Sequence, residues 1–557
     1  MKTHYHKVWI EPDFDRSRPI AFDTETHIPL QSKSKIATLA LYGSTRLIQL
    51  AQDGVCHMYD CFYVDIRKVK QYLTNTHLYA HNILYDLSCP DTNDIALKHF
   101  DCTLYMCKYA SPMSESFSLH SMLTKFKIGA KTDEGKSDWS ERYLSQEQLE
   151  YAAKDVLYLE KLYYKIVDVT KNPLYRLDIL NLKLAIEYAK NGLPVHETNR
   201  LKHIKELHSK TYDLPTHLNI NSPKQVTQIL GSADSTSNTL NMLAVENNTI
   251  AIEVLKKRKD TKQLSFLEDK FCFDRVYGIF NPYGAKSGRW TCKGNGHSKN
   301  SQNLQQLPRD LKDCFGFEDT DNRWLVDCDY TALEIHTVAC IMGEQKMADI
   351  IRTGGDLHYA TAEMIYNKPR SEISKKERQI AKGLNFSLAY GGGAEMARLF
   401  LLNMTNILLS VDEISVLRTK WLKAYPAISA YHAVIGKHDF RKSPMEVVSP
   451  FGRRMRANSY TEAINMPCQS AGSDCTKLAI KYLYERIPNV KLVTTVHDSI
   501  TLEVNSQEEG HRQGKILKDC MDESWLTLCK NSDPKIMKIT DLVMDNQYDV
   551  IKTLGDA

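Results

Sequence analysis

The sequence contains no continuous apolar run approaching the ~18–20 residues of a membrane-spanning helix, so no transmembrane segment is expected. It also lacks a targeting pattern. Residues 1–15 mix histidines, Trp9 and charges of both signs where a signal peptide would be apolar and a transit segment acid-poor. These two absences predict a cytosolic protein. No zinc pattern is present: the 14 cysteines are scattered. The closest pairs, Cys56/Cys61 and Cys102/Cys107, are C-x4-C with no second pair or histidine pair to complete a site. They read as buried or free thiols of a reducing compartment. An excess of one charge is also missing. Lys+Arg 72 against Asp+Glu 68 leaves +4, which excludes a uniformly basic coat for nucleic acid but not a local basic track. No internal repeat is evident. What remains is an ordinary globular composition, 42% hydrophobic and 25% charged over 557 residues. That length is enough for about three or four domains.

Residues 1–165 alternate strand and helix signals. Arg18–Thr26, Ile36–Leu41 and Thr45–Gln52 read as strands, Tyr79–Leu87 as a strand end running into a helix, and Ser145–Val169 as a long helix. Residues 170–275 read as mostly helical, with a Ser/Thr/Asn-rich break at Gly231–Asn238. Gly284–Asn303 reads as an irregular loop. Strand signals return at Trp324–Tyr330, Met445–Ser449 and Lys491–Val504.

One constellation is acidic. In Phe22-Asp23-Thr24-Glu25 the period-2 alternation of a strand puts Asp23 and Glu25 on one face. Asn82 and Asp86 are spaced i, i+4, as are Tyr151 and Asp155, which predicts one helical face for each pair. Hard divalent cations take carboxylate oxygens, and two such ions about 4 Å apart can activate a water and stabilise the leaving oxygen of a phosphodiester. Tyr151, a turn before Asp155, could hydrogen-bond that water. A lone D-x-E in a strand is usually just solvated. The ordered set D-x-E, N-x3-D, Y-x3-D resembles the DEDD-type 3′–5′ exonuclease proofreading domain, tyrosine subtype.

A second constellation is cationic and aromatic. Arg378, Lys382, Phe386 and Tyr390 fall at i, i+4, i+8 and i+12, one drifting stripe on a helix before Gly391-Gly392-Gly393. By itself the stripe fits either an amphipathic surface helix or a nucleotide site in which cations meet phosphates and rings stack. Asp327-Cys328-Asp329-Tyr330-Thr331-Ala332-Leu333-Glu334 precedes it and Val496-His497-Asp498-Ser499 follows it. Two aspartates on strands far apart in sequence could meet in a sheet and hold two metals. This order resembles motifs A, B and C of family A DNA polymerases, and further segments extend the resemblance over nearly the whole chain. Asn221-Ser222-Pro223-Lys224-Gln225 resembles the thumb signature. Ser287-Gly288-Arg289 and Asn303-Leu304-Gln305-Gln306-Leu307-Pro308-Arg309 resemble T-G-R and N-L-Q-N-I-P-R. Gly355-Asp356-Leu357-His358 resembles the opening of the fingers, and Asn465-Met466-Pro467-Cys468-Gln469 resembles N-x-P-x-Q.

The resemblance implies an α/β and α+β multidomain chain. A ribonuclease H-like exonuclease domain would cover 1–165. A right-hand polymerase would follow, with thumb 166–275, palm 276–350, fingers 351–440 and palm again 441–557. It implies template-directed DNA synthesis with proofreading, on primer–template DNA and dNTPs. Two Mg²⁺ would sit at each site, with Mn²⁺ as a substitute. Asp329 and Asp498 would hold the ions of the polymerase site, and Asp23, Glu25, Asp86 and Asp155 those of the exonuclease. Arg378 and Lys382 would grip the triphosphate, with His358 beside them. Glu334 would occupy the space at the sugar C2′, Phe386 would pack on that sugar, and Tyr390 would stack near the templating position. Arg289, Asn465 and Gln469 would touch the minor-groove edge, joined on the DNA by Asn303 and Gln305, and His497 would position the primer terminus. Asp327 is expected to support Asp329 rather than bind metal.

Several positions depart from the family pattern. Ser499 stands where the family has Glu, His336 where it has Arg, Ala332 where Gln is common and Ser287 where it has Thr. Gln469-Ser470-Ala471-Gly472 is similar to podovirus-type phage replicases, which points to a phage enzyme working in a host cytoplasm. No N-terminal 5′ nuclease is expected ahead of Asp23, and no thioredoxin-type clamp, because the interval 221–275 is short. A helicase, primase or single-strand binding protein is a conceivable partner. Two rivals stand beside this reading. A single-subunit RNA polymerase is opposed by Glu334, Phe386 and the exonuclease set. A nuclease or single-strand-binding protein with a degenerate polymerase half rests on Ser499 alone. The basic track reappears locally: residues 253–262 carry net +3, 284–299 +4, 367–382 +4 and 452–456 +3, leaving the rest of the chain acidic.

Overall fold

A computed structural model describes residues 2–27, 44–89, 91–92, 94–129, 137–294, 300–496 and 498–557. The strand expected at Ile36–Leu41 and His497 lie outside them. The chain forms two compact units. The first comprises Met1–Gly192, Tyr277–Gln305 and Leu492–Thr494; the second comprises Leu193–Val276, Gln306–Lys491 and Thr495–Ala557.

The first unit is built on six strands: β1 (Lys2–His6), β2 (Ile20–His27), β3 (Ser44–Gln52), β4 (Val55–Asp60), β5 (His77–Ala80) and β6 (His99–Cys102). Their order is β1-β4-β3-β2-β5-β6. β2, β3 and β4 pair antiparallel, and β1, β5 and β6 add parallel strands at the flanks. Ile20, Phe22, Leu47, Ile48 and Leu50 have no exposed surface, as expected of central strands covered on both faces. The short helix α1 (Ile83–Asp86) follows β5. The long helix α2 (Gln146–Lys165) packs across β2 and β3. Its start is fixed by a capping box in which the Ser145 hydroxyl accepts from the Gln148 N–H and the Gln148 side chain accepts from the Ser145 N–H.

The compact units do not follow the boundaries expected at 165 and 275. Helix α3 (Pro173–Asn191), expected to open the thumb, belongs with the first unit. Aromatic packing accounts for this. Tyr188 of α3 meets Phe280 and Trp290 at ring distances of 5.2 and 5.7 Å. The Tyr105 hydroxyl donates to Asn281 at 2.6 Å, and the Asn191 amide donates to the Leu492 carbonyl at 2.7 Å. Nor is Gly284–Asn303 wholly irregular: Thr291–Lys293 pairs antiparallel with Ile279–Asn281.

In the second unit, helices α4 (Pro223–Leu230), α5 (Ser237–Val245) and α6 (Thr249–Ser265) enclose a small core of Ile220, Val226, Leu240, Ala251 and Val254. Further along lie β7 (Trp324–Asp329), α7 (Leu333–Met342), α8 (Leu357–Tyr366), α9 (Lys375–Leu388), α10 (Val411–Ala424) and α11 (Tyr460–Arg486). They are followed by β8 (Leu492–Val496), of which only Thr495 and Val496 belong to this unit, β9 (Ser499–Val504), α12 (Gln507–Asn531) and β10 (Gln547–Ile551). The sheet order is β8-β9-β7-β10, with β7 antiparallel to both neighbours. α12 lies against β7 and β10. Two glycines permit that approach: a Cβ at Gly510 would stand 2.6 Å from a Val550 methyl, and one at Gly514 would stand 2.3 Å from the Tyr548 ring.

Arg453 donates to Asp474 of α11 at 2.6 Å, and neither side chain has any exposure. Truncating one partner leaves a buried charge without its counterion, at a cost of about 3–5 kcal/mol. Asp474→Asn is therefore expected to lower the thermal midpoint markedly, and the double change Arg453→Met, Asp474→Leu to recover most of the loss. A midpoint unmoved by Asp474→Asn in thermal denaturation would show that the pair does not anchor α11.

Candidate active sites

The acids of the first unit converge. β2 alternates, so Asp23, Glu25 and His27 are half-exposed while Thr24 and Thr26 are buried. Across from them, Tyr151 and Asp155 share one buried face of α2. The carboxylate oxygens of Asp23, Glu25 and Asp155 all lie within 4.8 Å of one another, an all-oxygen donor set that suits a hard divalent cation. The fourth expected acid, Asp86, is not among the three whose oxygens meet there, and it is held by a different route from the one expected. Asn82 is not one helical turn from Asp86 on a continuous face. It precedes α1 in a left-handed conformation, φ 70°, and α1 is only four residues long. Asp86 is instead fixed from β2: one of its oxygens accepts from the Thr24 N–H at 3.1 Å and the Thr24 hydroxyl at 2.8 Å. Burial raises the Asp86 carboxyl above the ordinary range, and the Thr24 donors partly oppose it. Tyr151 is pushed well up, first by burial and then by the charges of Asp155, Glu25 and Asp23, so its hydroxyl keeps its proton beside the cluster.

In the second unit Asp329 is the last residue of β7 and stands opposite Ser499 in the antiparallel register. Asp498 lies in the turn between β8 and β9 rather than in a strand. The Thr495 hydroxyl closes that turn by donating to the Ser499 carbonyl at 2.8 Å. Asp329 and Asp498 are close enough to share a hydrogen bond, and Asp329 is raised by burial first and by the Asp498 charge second. Lys312, a cation that the motif reading passed over, opposes that rise. Asp327 points into the β7–β9 pairing, where it accepts from the Thr501 hydroxyl at 2.6 Å. His336 is buried on α7, with Nδ1 at 3.0 Å from the Ala332 carbonyl and its ring edge-on to Trp525.

The cation–aromatic stripe folds as a helix, with one difference. α9 ends at Leu388, so Tyr390 sits in the following turn. Glu334, Phe386 and Tyr390 nevertheless line one pocket, with Leu357, Met347 and Asn385 behind them. Arg378 donates from Nε and Nη2 to one oxygen of Asp356 at 3.0 and 2.7 Å. The same Asp356 caps α8 by accepting from the His358 and Tyr359 N–H groups. Lys382 is half-buried and makes no ion pair among the described residues. The rings of His358 and Phe386 lie 5.9 Å apart. Asn465 and Gln469 are one turn apart on α11, and the Asn465 Oδ1 is buried without a donor among the described residues. Arg289, Asn303 and Gln305 lie in the 277–305 segment of the first unit, where Asn303 accepts from the Gln305 N–H at 3.0 Å.

The family profile for DNA polymerase family A matches residues 193–530, which is most of the chain. The chain belongs to DNA polymerase family A. A profile for the 3′–5′ exonuclease matches residues 9–171, and the protein is a DNA-directed DNA polymerase with a 3′–5′ exonuclease. It is similar to DNA polymerase I of Aquifex aeolicus, 27% identical over 86% of this chain and 89% of that one. It is also 28% identical to the DNA polymerase of Bacillus phage SP01, over 42% of this chain but 27% of that protein. Among solved structures, the POL domain of Pol1 from M. smegmatis, complexed with DNA primer-template and dNTP, shares its fold. The TM-score is 0.73 at 15% identity, covering 99% of both chains. No helix among the described residues is long and apolar enough to cross a membrane. Family membership brings dependence on a divalent metal, and the oxygen donors at both sites suit one.

Thr24 and Asp356 escaped the sequence reading because each acts through a neighbour. Thr24 generates a direct expectation. Thr24→Val removes a hydroxyl donor worth about 1–1.5 kcal/mol from Asp86. Excision of a mispaired primer end should slow about tenfold while extension of a paired end is unchanged. Equal excision rates would show that Thr24 does not hold Asp86.

Proposed function

We propose that the Asp329–Asp498 pair is the nucleotidyl-transfer centre and that Asp23, Glu25, Asp86, Asp155 and Tyr151 form the excision centre. The observation that carries this reading is the convergence of two separate sets of acids, Asp23, Glu25 and Asp155 in the first unit and Asp329 and Asp498 in the second, which also holds the pocket of Glu334, Phe386 and Tyr390. These acids would hold divalent ions, Mg²⁺ in pairs, which when bound would activate the attacking oxygen as Lewis acids and neutralise charge at the leaving one.

The chain's own residues do the rest. Arg378 and Lys382 bind the triphosphate and offset the charge that develops on it as the primer 3′ oxygen attacks the α-phosphorus and pyrophosphate departs. Entry of the triphosphate requires Arg378 to exchange Asp356 for phosphate. Glu334 fills the pocket where a ribose 2′ hydroxyl would stand, and Phe386 packs on the sugar. Asn465 and Gln469 check the minor-groove edge, whose acceptors are common to all correct pairs. At the excision centre the Tyr151 hydroxyl, kept protonated by burial and by its acidic neighbours, orients the attacking water. Primer–template and dNTPs are the substrates; of the second unit, 193–275 is the thumb, 306–350 and 441–557 the palm and 351–440 the fingers, apart from 492–494. The match to a phage polymerase and the Gln469-Ser470-Ala471-Gly472 segment support a phage replicase acting in the host cytoplasm.

Asp498→Ala should abolish extension and spare excision, and Asp23→Ala should do the reverse, in primer assays with paired and mispaired 3′ ends. Extension that survives Asp498→Ala refutes the transfer centre. A second measurement tests the sugar contact. The wild type should use dideoxynucleotides poorly, and Phe386→Tyr, which adds a hydroxyl beside the 3′ carbon, should improve their use about tenfold. An unchanged dideoxy-to-deoxy ratio would remove Phe386 from the sugar.

A further inference from the structure

Behind the nucleotide pocket lies a hydrogen-bond chain whose direction is fixed by its first member. The Trp421 indole N–H of α10 donates to the Asn385 Oδ1 of α9 at 2.7 Å. An indole can only donate, so the amide oxygen must face Trp421 and the amide nitrogen must face away. That nitrogen, Nδ2, lies 3.1 Å from the His358 Nδ1 of α8 and 3.0 Å from the Thr361 hydroxyl oxygen. Thr361 in turn donates to the Leu357 carbonyl at 2.7 Å and lies 2.6 Å from the Tyr425 hydroxyl. Trp421, Thr361 and Tyr425 have no exposed surface and Asn385 is 5% exposed, so water does not compete for these atoms. Both amide hydrogens and the amide oxygen are committed, and the order cannot be reversed.

Since Nδ2 is a donor, His358 Nδ1 must be the acceptor. A neutral imidazole carries one proton, which is then on Nε2. The charged groups around the ring are Asp356 on its own helix and Arg378 and Lys382 from α9. Burial and the two cations lower the ring to about 4, so it is neutral at ordinary assay pH.

We propose that Asn385 is a positioning residue for nucleotide binding: with Trp421 it locks His358 in the tautomer that donates from Nε2 to a triphosphate oxygen. This rests on the reading of His358, Arg378 and Lys382 as the triphosphate site. The function of the lock is to present a donor without a third positive charge. In the other tautomer Nε2 would be an acceptor and would repel phosphate.

The test replaces the amide donor by an acceptor. In Asn385→Asp a carboxylate faces Nδ1, which raises the ring's pKa. Below that pKa the imidazolium carries both protons and still donates from Nε2. Above it the single proton sits on Nδ1, against the carboxylate, and Nε2 becomes an acceptor. The KM for dNTP in steady-state extension should therefore be flat with pH in the wild type. In Asn385→Asp it should rise about tenfold as pH increases through the new pKa, with little change in kcat. His358→Ala should raise KM and erase the pH dependence of the Asn385→Asp protein. A purely structural role for Asn385 would shift KM equally at every pH, and that outcome overturns the lock. If His358→Ala leaves KM unchanged, it is the triphosphate reading that fails. The tautomer is also read directly in the wild type. In ¹⁵N-histidine spectra the signals lost in His358→Ala should be a protonated Nε2 and an unprotonated Nδ1, and the reverse assignment overturns the proposal even if Asn385→Asp does not fold.

Discussion

Like charges must be held together against their repulsion, and both active sites depend on it. Two carboxylates 4 Å apart repel by about 4 kcal/mol at the effective dielectric of a protein surface. Neither site leaves its acids on free loops. Asp23 and Glu25 are on the central strand β2, Asp155 is on α2 behind a capping box, and Asp329 ends a strand paired on both sides. Asp498 is in a turn, but the turn is closed by Thr495 and its next residue is in register with Asp329. The backbone ladders carry the electrostatic strain of the clustered acids, so the scaffold around each site has to be stiff.

The nucleotide side shows the complementary arrangement. α9 brings Arg378 and Lys382 toward one region, and Asp356 pairs with the first of them. His358, adjacent to both, stays uncharged. The positive charge of this region is thus partly balanced by Asp356 rather than increased by the ring. Asn385, deeper in the fold, is satisfied by a partner of fixed polarity, the Trp421 indole. Fixed polarity at the bottom of a network is what lets a flexible-looking histidine present one face.

The sites were legible in the sequence where residue spacing is itself the geometry. D-x-E on a strand and Y-x3-D on a helix need only period 2 and period 3.6, and both pairs fall as those periods require. N-x3-D misled because α1 is a single turn and Asn82 enters it left-handed. Tyr390 kept its place in the pocket although the helix stops before it, because Ala389 still has helical dihedrals. The unit boundaries were not legible. Composition shows helices at 173–191 and a loop near 284, but not that Tyr188 packs on Phe280 and Trp290. Residues that act through others, Thr24, Asp356 and Asn385, carry no spacing signature of their own. They become visible only when hydrogen-bond polarity is traced.

The discontinuity of the first unit bears on how the protein is made. Chains emerge from the ribosome N-terminus first, and domains generally fold in that order. Here the six-stranded sheet and α3 are synthesised early, yet the aromatic partners of Tyr188 appear only with residues 280 and 290. The carbonyl that Asn191 binds belongs to Leu492. The nascent exonuclease unit must therefore wait, with part of its apolar surface uncovered, until residue 290 has been translated, and for the Asn191 hydrogen bond until residue 492. A translational pause or a truncation before residue 290 would leave Tyr188 uncovered in the N-terminal unit as well as most of the polymerase missing.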